Sequence, residues 1–343
     1  MYHPVVKGSY YDMGYNYGSI LYKHNFRVPK QSTEKLEFSR KSESEVKRVF
    51  PEILEEIKGF SDACHSPYEE FGAFIFCIGA FKYEPECSVF ASHDESDVVF
   101  GRNYDFFYSL KDVTESCLAL PKDGYYSLGH SDVFIGKEDG INEKGLAIGM
   151  TGVDSKGNKP GISFILAIRC ILDKCANVTE ALKVLSDAHF TSTYNFLLAD
   201  KEADLAVIEA APEKVTIRRP EEGEKFIVCT NHFVHPDMTR FEDIKARCWD
   251  SVPRYNAIYD SLMKRNGRIN IENAQEILSN HTGYVCSHQE KIKLGTLWSI
   301  VARLKKLEIL RAEGHPCNTK YKEDSRLNRA VQKRQKPSNK AHI

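Results

Sequence analysis

The run Cys87-Ser88-Val89-Phe90-Ala91-Ser92-His93-Asp94-Glu95-Ser96-Asp97-Val98-Val99-Phe100-Gly101-Arg102-Asn103-Tyr104-Asp105-Phe106 reads as a β-hairpin. Two apolar segments, Ser88 to Ala91 and Val98 to Gly101, flank a polar turn, His93 to Asp97. An antiparallel return brings residues near 87 beside residues 102 to 105, because cross-strand neighbours lie about 5 Å apart. The hairpin therefore carries a thiol on its first strand and a guanidinium and a carboxylate at the end of its second. A cation beside a thiol depresses its pKa, and a carboxylate there would hold a neighbouring amine or backbone group in place. Arg102 and Asp105 are three apart, so a regular strand points them to opposite faces. For both to face Cys87, a bulge or bend at Gly101 to Asn103 is required. The plainer alternative is a surface hairpin whose Arg and Asp pair with each other or with solvent.

Before the hairpin the chain is largely helical. Val46, Val49, Phe50, Ile53, Leu54, Ile57 and Phe60 mark one helical face within a segment rich in Glu, Lys and Arg, and Pro51 starts a new helix or kinks the old one. Phe71 to Phe81 is nearly all apolar and predicts a buried helix. Beyond the hairpin come a strand at Gly145 to Gly149, helices at Ile162 to Leu172 and Thr179 to Ala188, and strands at Tyr194 to Leu198, Leu205 to Glu209 and Phe226 to Thr230. Helical period returns over 249–264 and 271–279, and Thr296 to Arg311 reads as a closing hairpin. Strands grouped around grouped helices predict α+β layers rather than a doubly wound sheet. From Lys322 the chain is basic and poor in apolar residues, which predicts a solvated or disordered tail over 322–343.

The 343 residues carry 47 Lys+Arg against 48 Asp+Glu, a net charge of −1 that argues against a nucleic-acid or polyanion binder. No run approaches the roughly 18 apolar residues of a membrane span, and the start, MYHPVVKGSYYDMG, lacks a secretory-signal pattern. The expectation is a cytoplasmic protein whose ten cysteines are reduced and mostly buried. No CxxC, HExxH or paired ligand spacing is present, so no metal is expected.

The hairpin resembles the start of the mature catalytic chain in the choloylglycine-hydrolase and penicillin-acyltransferase group of N-terminal nucleophile (Ntn) hydrolases. The likeness lies in a Cys, a strand, a turn, and a second strand ending Gly101-Arg102-Asn103-Tyr104-Asp105-Phe106. Asp139-Gly140-Ile141-Asn142-Glu143-Lys144-Gly145-Leu146, Thr230-Asn231-His232 and Ser251-Val252-Pro253-Arg254-Tyr255 are similar to further segments of that group, in the same order. Three more segments resemble its acyl-CoA:6-aminopenicillanic-acid acyltransferase-like branch. They are the Gly-rich opening Gly8 to Gly18, Asn195-Phe196-Leu197-Leu198-Ala199-Asp200, and Gly295 to Ser299 followed by Gly314-His315-Pro316-Cys317.

The resemblance implies a four-layer αββα sandwich made as a precursor and cut between Glu86 and Cys87. Residues 1–86 would form a helical pro-segment that stays bound, and 87–321 the catalytic domain. It further implies Cys87 as nucleophile and, through its new amine, base; Asp105 orienting that amine; and Arg102 tuning the thiol. Asn231 would donate to the oxyanion, and Arg254 would support the amine and a substrate carboxylate or carbonyl. Taken alone, Asn231 also fits a turn and Arg254 a helix-surface charge, while Asn142 and Glu143 fit the chemistry of a hairpin loop. Glu86 stands where the family carries a small residue, which predicts slower or absent self-cleavage. Met150-Thr151-Gly152 replaces an Asn of the bile-salt branch, which argues against bile-salt specificity.

The activity implied is hydrolysis of a linear amide: an N-acyl amino acid, an acylated amine or a small peptide. The alternatives are acyl transfer to an amine and an uncleaved, non-catalytic scaffold. No cofactor is implied; the partner expected is a small-molecule amide, and a homo-oligomer is expected only on general grounds. Specificity is expected from irregular loops near 107–135 and 232–248.

Overall fold

The computed structural model describes residues 1–81, 86–246 and 248–335. Pro85, which precedes the expected cleavage site, and the end of the expected tail lie outside the described residues. The chain opens with β1 (Val5–Gly8), followed by α1 (Tyr10–Lys23), α2 (Thr33–Val49), α3 (Glu52–Ala63) and α4 (Tyr68–Phe76). Ser9 caps α1 in a reciprocal capping box with Asp12, and Pro51 separates α2 from α3. Then come β2 (Glu86–His93), β3 (Val98–Phe107), β4 (Glu115–Pro121), β5 (Ser127–Ser131), β6 (Asp139–Asn142) and β7 (Ala147–Gly152). Helices α5 (Phe164–Lys174) and α6 (Val178–Asp187) lead to β8 (Tyr194–Ala199), β9 (Leu205–Ala211), β10 (Lys214–Arg218) and β11 (Phe226–Cys229). The last part holds α7 (Ser251–Met263), α8 (Ile271–Leu278), β12 (His288–Gln289), β13 (Leu294–Arg303), β14 (Glu308–Ala312), β15 (Lys322–Glu323) and α9 (Arg326–Gln335).

Among the described residues the strands form two sheets. One has eight strands in the order β1-β4-β5-β6-β7-β8-β9-β10; the other runs β11-β2-β3-β13-β14-β15, with β12 paired to β13. Apolar side chains fill three layers, one between the sheets and one on the outer face of each. Phe164, Ile168, Ile171 and Leu185 cover the eight-stranded sheet from α5 and α6. Val89, Phe100, Tyr104, Leu197, Val207 and Trp298 meet between the sheets. Ile258, Leu262, Ile277 and Leu278 cover the other sheet from α7 and α8. This is the αββα sandwich, with strands buried on both faces and so reading as near-continuous apolar runs.

The first 81 residues are not helical throughout. Val5–Gly8 pairs in parallel with Leu118–Pro121 at the edge of the eight-stranded sheet. Helices α1 and α3 cross in direct backbone contact: a Cβ added at Gly14 would lie 1.9 Å from the Glu56 carbonyl oxygen, and one at Gly59 would lie 2.2 Å from that of Tyr11. The glycines of the opening segment are thus a close-packing device. Beneath this crossing, the buried Arg169 of α5 pairs with Glu56 at 2.9 Å and Asp173 at 3.0 Å, and Tyr10 donates to Asp173 at 3.0 Å.

Two expectations are corrected. The tail is ordered as far as it is described: α9 buries Leu327 and Val331, one turn apart, and Arg326 is held by Asp324 and the Ser116 carbonyl. Its charges satisfy partners on the domain, so a segment with few apolar residues still docks. The region 107–135 is likewise more regular than expected, since β4 and β5 together occupy twelve of its 29 residues.

Candidate active site

Strand β2 pairs with β3 without interruption, from Glu86 opposite Asp105 to His93 opposite Val98. The bulge expected at Gly101 to Asn103 is absent from this pairing; the irregularity falls in β13, between Thr296 and Trp298. A slip in β3 would turn Phe100 and Tyr104 out of the core between the sheets, so packing fixes the register. Side chains therefore alternate cleanly. Cys87, Val89, Arg102 and Tyr104 share the face turned to the other sheet, whereas Glu86, Asn103 and Asp105 share the face turned to α7 and α8. Asn103 confirms that direction by donating to the carbonyls of Leu278 and Val285, at 2.9 and 2.8 Å.

Arg102 is fully buried, and its Nη2 lies 3.5 Å from Cys87 Sγ. Nη1 donates to the Met150 carbonyl, and Nε pairs with Asp139 at 2.9 Å. Asp139 is in turn held by His130 Nδ1 at 2.7 Å and Trp298 Nε1 at 3.1 Å. Burial opposes ionisation of Asp139, but His130, Arg102 and the indole N–H outweigh it and hold the carboxyl below its usual range. The guanidinium is thus fixed before it meets the thiol. Burial pushes the Cys87 thiol up to about 12 despite Arg102 and Arg254, with Asp105 and Glu138 adding to the rise. Burial thus favours the protonated thiol in the intact chain.

Asn231 follows β11. Its Oδ1 accepts from the Cys87 backbone N–H at 2.7 Å and from Arg254 Nη2 at 2.9 Å, while its Nδ2 donates to the Gly152 carbonyl at 2.8 Å. Two donors on one side and an acceptor on the other fix the orientation of the amide. In the intact chain Asn231 is thus an acceptor for the Cys87 nitrogen as well as a donor through Nδ2. Asn195, a residue to which the sequence pattern gives no role, clamps this segment: its Nδ2 donates to the carbonyls of Thr230 and His232, at 2.8 and 3.0 Å. Asn142 behaves as a loop residue, accepting from the N–H groups of Lys144 and Leu146.

Arg254, on α7, is also fully buried. It donates to the Cys87 carbonyl, to Ser88 Oγ at 3.2 Å and to Asn231, and it pairs with Asp250 at 2.9 Å. In the intact chain its N–H groups are thus all directed at protein acceptors. Asp105 lies on the Glu86 side, opposite Thr296. Burial drives its carboxyl well above the usual range, with Glu86 and Asp250 adding to the rise and Arg254 and the Thr296 hydroxyl opposing it. Glu86 is raised by burial and by Asp250, and Gln289 donates to its carboxylate. The hairpin, α7 and the segment after β11 thus bring Cys87, Arg102, Asn231 and Arg254 into contact, with Asp105 behind the Cys87 backbone.

A profile of the family described as acyl-coenzyme A:6-aminopenicillanic acid acyl-transferase matches residues 92–318. The chain belongs to this family. The matched stretch contains Arg102, Asp105, Asn231 and Arg254 and begins five residues after Cys87. Among solved structures, a single-substitution variant of conjugated bile acid hydrolase from Clostridium perfringens is 15% identical. It aligns over 69% of this chain and 96% of its own with a TM-score of 0.50, which shows the shared Ntn-hydrolase fold. The Caenorhabditis elegans ortholog of N-acylethanolamine-hydrolyzing acid amidase is 18% identical over 63% of this chain and 92% of its own, with a TM-score of 0.47. Penicillin V acylase from Agrobacterium tumefaciens is 20% identical over 66% and 83%, with a TM-score of 0.45. None of the curated proteins compared by sequence matches the chain. Among the described residues, no helix is long and apolar enough to cross a membrane.

Proposed function

We propose that the chain is the precursor of a cysteine Ntn amidohydrolase that cleaves a linear amide, such as an N-acyl amino acid, an acylated amine or a small peptide. The observation that carries this reading is the setting of Cys87. Its amide nitrogen rests on Asn231, its carbonyl on Arg254 and its sulfur on Arg102, all in one buried site. Maturation begins when Cys87 Sγ attacks the Glu86 carbonyl carbon. Collapse of the tetrahedral intermediate breaks the Glu86–Cys87 C–N bond, leaves a thioester, and places the thiol proton on the departing nitrogen. Water hydrolyses the thioester, giving a Glu86 carboxylate and a free Cys87 with amine and thiol.

The new α-amine, of ordinary pKa near 8, then serves as base for the thiol in each turnover. Asn231 Oδ1 and Asp105 hold the amine, Arg102 favours the thiolate, and Arg254 fixes the Cys87 carbonyl. The thiolate attacks the substrate amide, the amine proton goes to the leaving nitrogen, and water releases the acid. Membership of an acyl-transferase family supports a second reading, in which an amine acceptor replaces water.

Intact-mass spectrometry under denaturing conditions tests the proposal. Two polypeptides, residues 1–86 and 87–343, are expected from the native sequence, and a single uncut chain from Cys87→Ala. An uncut native chain, or amidase activity that survives the substitution, would sink it, the former in favour of a non-catalytic scaffold. Adding an amine acceptor during turnover separates hydrolysis from transfer by the product formed.

A further inference from the structure

We propose that His281, Cys286, His288 and Cys317 form a zinc-binding site. These residues come from three segments: the turn after α8, the approach to β12, and the stretch after β14. One donor atom from each lies within 4.8 Å of all the others. His288 Nε2 is 3.4 Å from Cys286 Sγ and 3.2 Å from Cys317 Sγ. A tetrahedral zinc with sulfur at about 2.3 Å and nitrogen at about 2.0–2.1 Å sets ligand atoms about 3.3–3.8 Å apart. The described contacts already approach that spacing, and the remaining pairs need to close by about 1.5 Å at most.

The donor set decides the metal. Two thiols and two imidazoles suit zinc, whereas calcium and magnesium take oxygen ligands. Four protein donors fill a tetrahedron and leave no open position, so the site is structural. The surrounding chain holds the ligands in place. The His288 ring stacks on His315 at 3.8 Å, and His315 lies 3.4 Å from the Tyr108 hydroxyl. The Cys286 N–H donates to the Asn280 carbonyl at 2.8 Å, and Ser279 Oγ donates to the Pro316 carbonyl at 3.1 Å. Cys286 is buried and the other three ligands are exposed, so the metal would enter from solvent. The sequence hid this site because its last ligand follows His288 by 29 residues, and His281, Cys286 and His288 match neither a CxxC nor an HExxH pattern. Bound zinc would lock β12, whose Gln289 donates to Glu86, without depending on cleavage at that residue.

The test uses the full chain, purified without chelator in the presence of a non-thiol reductant. Elemental analysis is expected to find about one zinc per chain. Cobalt added to the reduced, metal-free protein is expected to give a thiolate-to-metal charge-transfer band and the intense visible bands of a tetrahedral site. Cys286→Ser with Cys317→Ser should lower zinc content at least about tenfold, and the milder His281→Asn should weaken cobalt binding. A native chain with neither zinc nor the cobalt bands would overturn the proposal. So would zinc retained in full by the double variant, or a Cys286–Cys317 disulfide in freshly alkylated native protein.

Discussion

The side-chain oxygen of Asn231 accepts a hydrogen bond from the backbone N–H of Cys87 at 2.7 Å. A residue 144 positions away thus satisfies a buried donor at the head of β2. Removing the acceptor leaves that N–H unpaired, which costs about 1–3 kcal/mol. Asn231→Ala is therefore expected to lower the unfolding free energy of the uncleaved Cys87→Ala protein by that amount, read from urea melts. In the native background it should slow appearance of the cut chains, read as mass against time.

Arg102 and Asp139 form a buried ion pair behind the thiol. Breaking such a pair by removing one partner costs about 3–5 kcal/mol, because the other charge stays buried. Arg102→Met should destabilise the Cys87→Ala protein on this scale, and adding Asp139→Asn should recover part of the loss. A double-mutant cycle from urea melts measures the coupling; additive costs would show that the pair is not coupled.

Asp105 and Glu86 both have raised carboxyl pKa values in the intact chain. A carboxyl whose folded-state pKa exceeds its unfolded value binds protons more tightly when folded. Its stabilisation is fully present below about pH 4 and is lost as pH rises through the folded value. For the uncleaved Cys87→Ala protein, Asp105→Asn and Glu86→Gln together should flatten the fall in melting temperature on going from acid towards neutral pH. An unchanged slope would place the linkage elsewhere.

Gly14 sits where α1 touches α3 backbone to backbone. Gly14→Ala is expected to push the helices apart and cost about 1–3 kcal/mol or more. Gly157, with nothing within 4 Å of a Cβ, is the control: Gly157→Ala should leave the thermal midpoint near that of the parent.

The hairpin was legible because strand alternation and turn chemistry are local signals, and its cation and thiol fall on one face by parity alone. The same parity places Asp105 on the opposite face, and the structure keeps it there rather than adding a bulge in β3. The layers followed from the grouping of apolar segments. The edge strand β1 did not, because Val5–Gly8 is defined by its partner, Leu118–Pro121, far along the chain. The docked α9 was hidden for a related reason: its arginines answer groups such as the Ser116 carbonyl and Glu143 that only the fold brings near. The hydrogen-bonding sense of Asn231 depends on which donors surround it, and those come from β2 and α7.

Strand β1 and the Glu56–Arg169–Asp173 cluster stitch the first 81 residues into a sheet and a helix layer made by the rest of the chain. A cut after Glu86 leaves those contacts intact but changes the molecularity of folding. The precursor folds in a unimolecular reaction, whereas the processed protein would have to reassemble from two polypeptides. Its unfolding midpoint should therefore fall on dilution, while that of the uncut Cys87→Ala chain stays fixed.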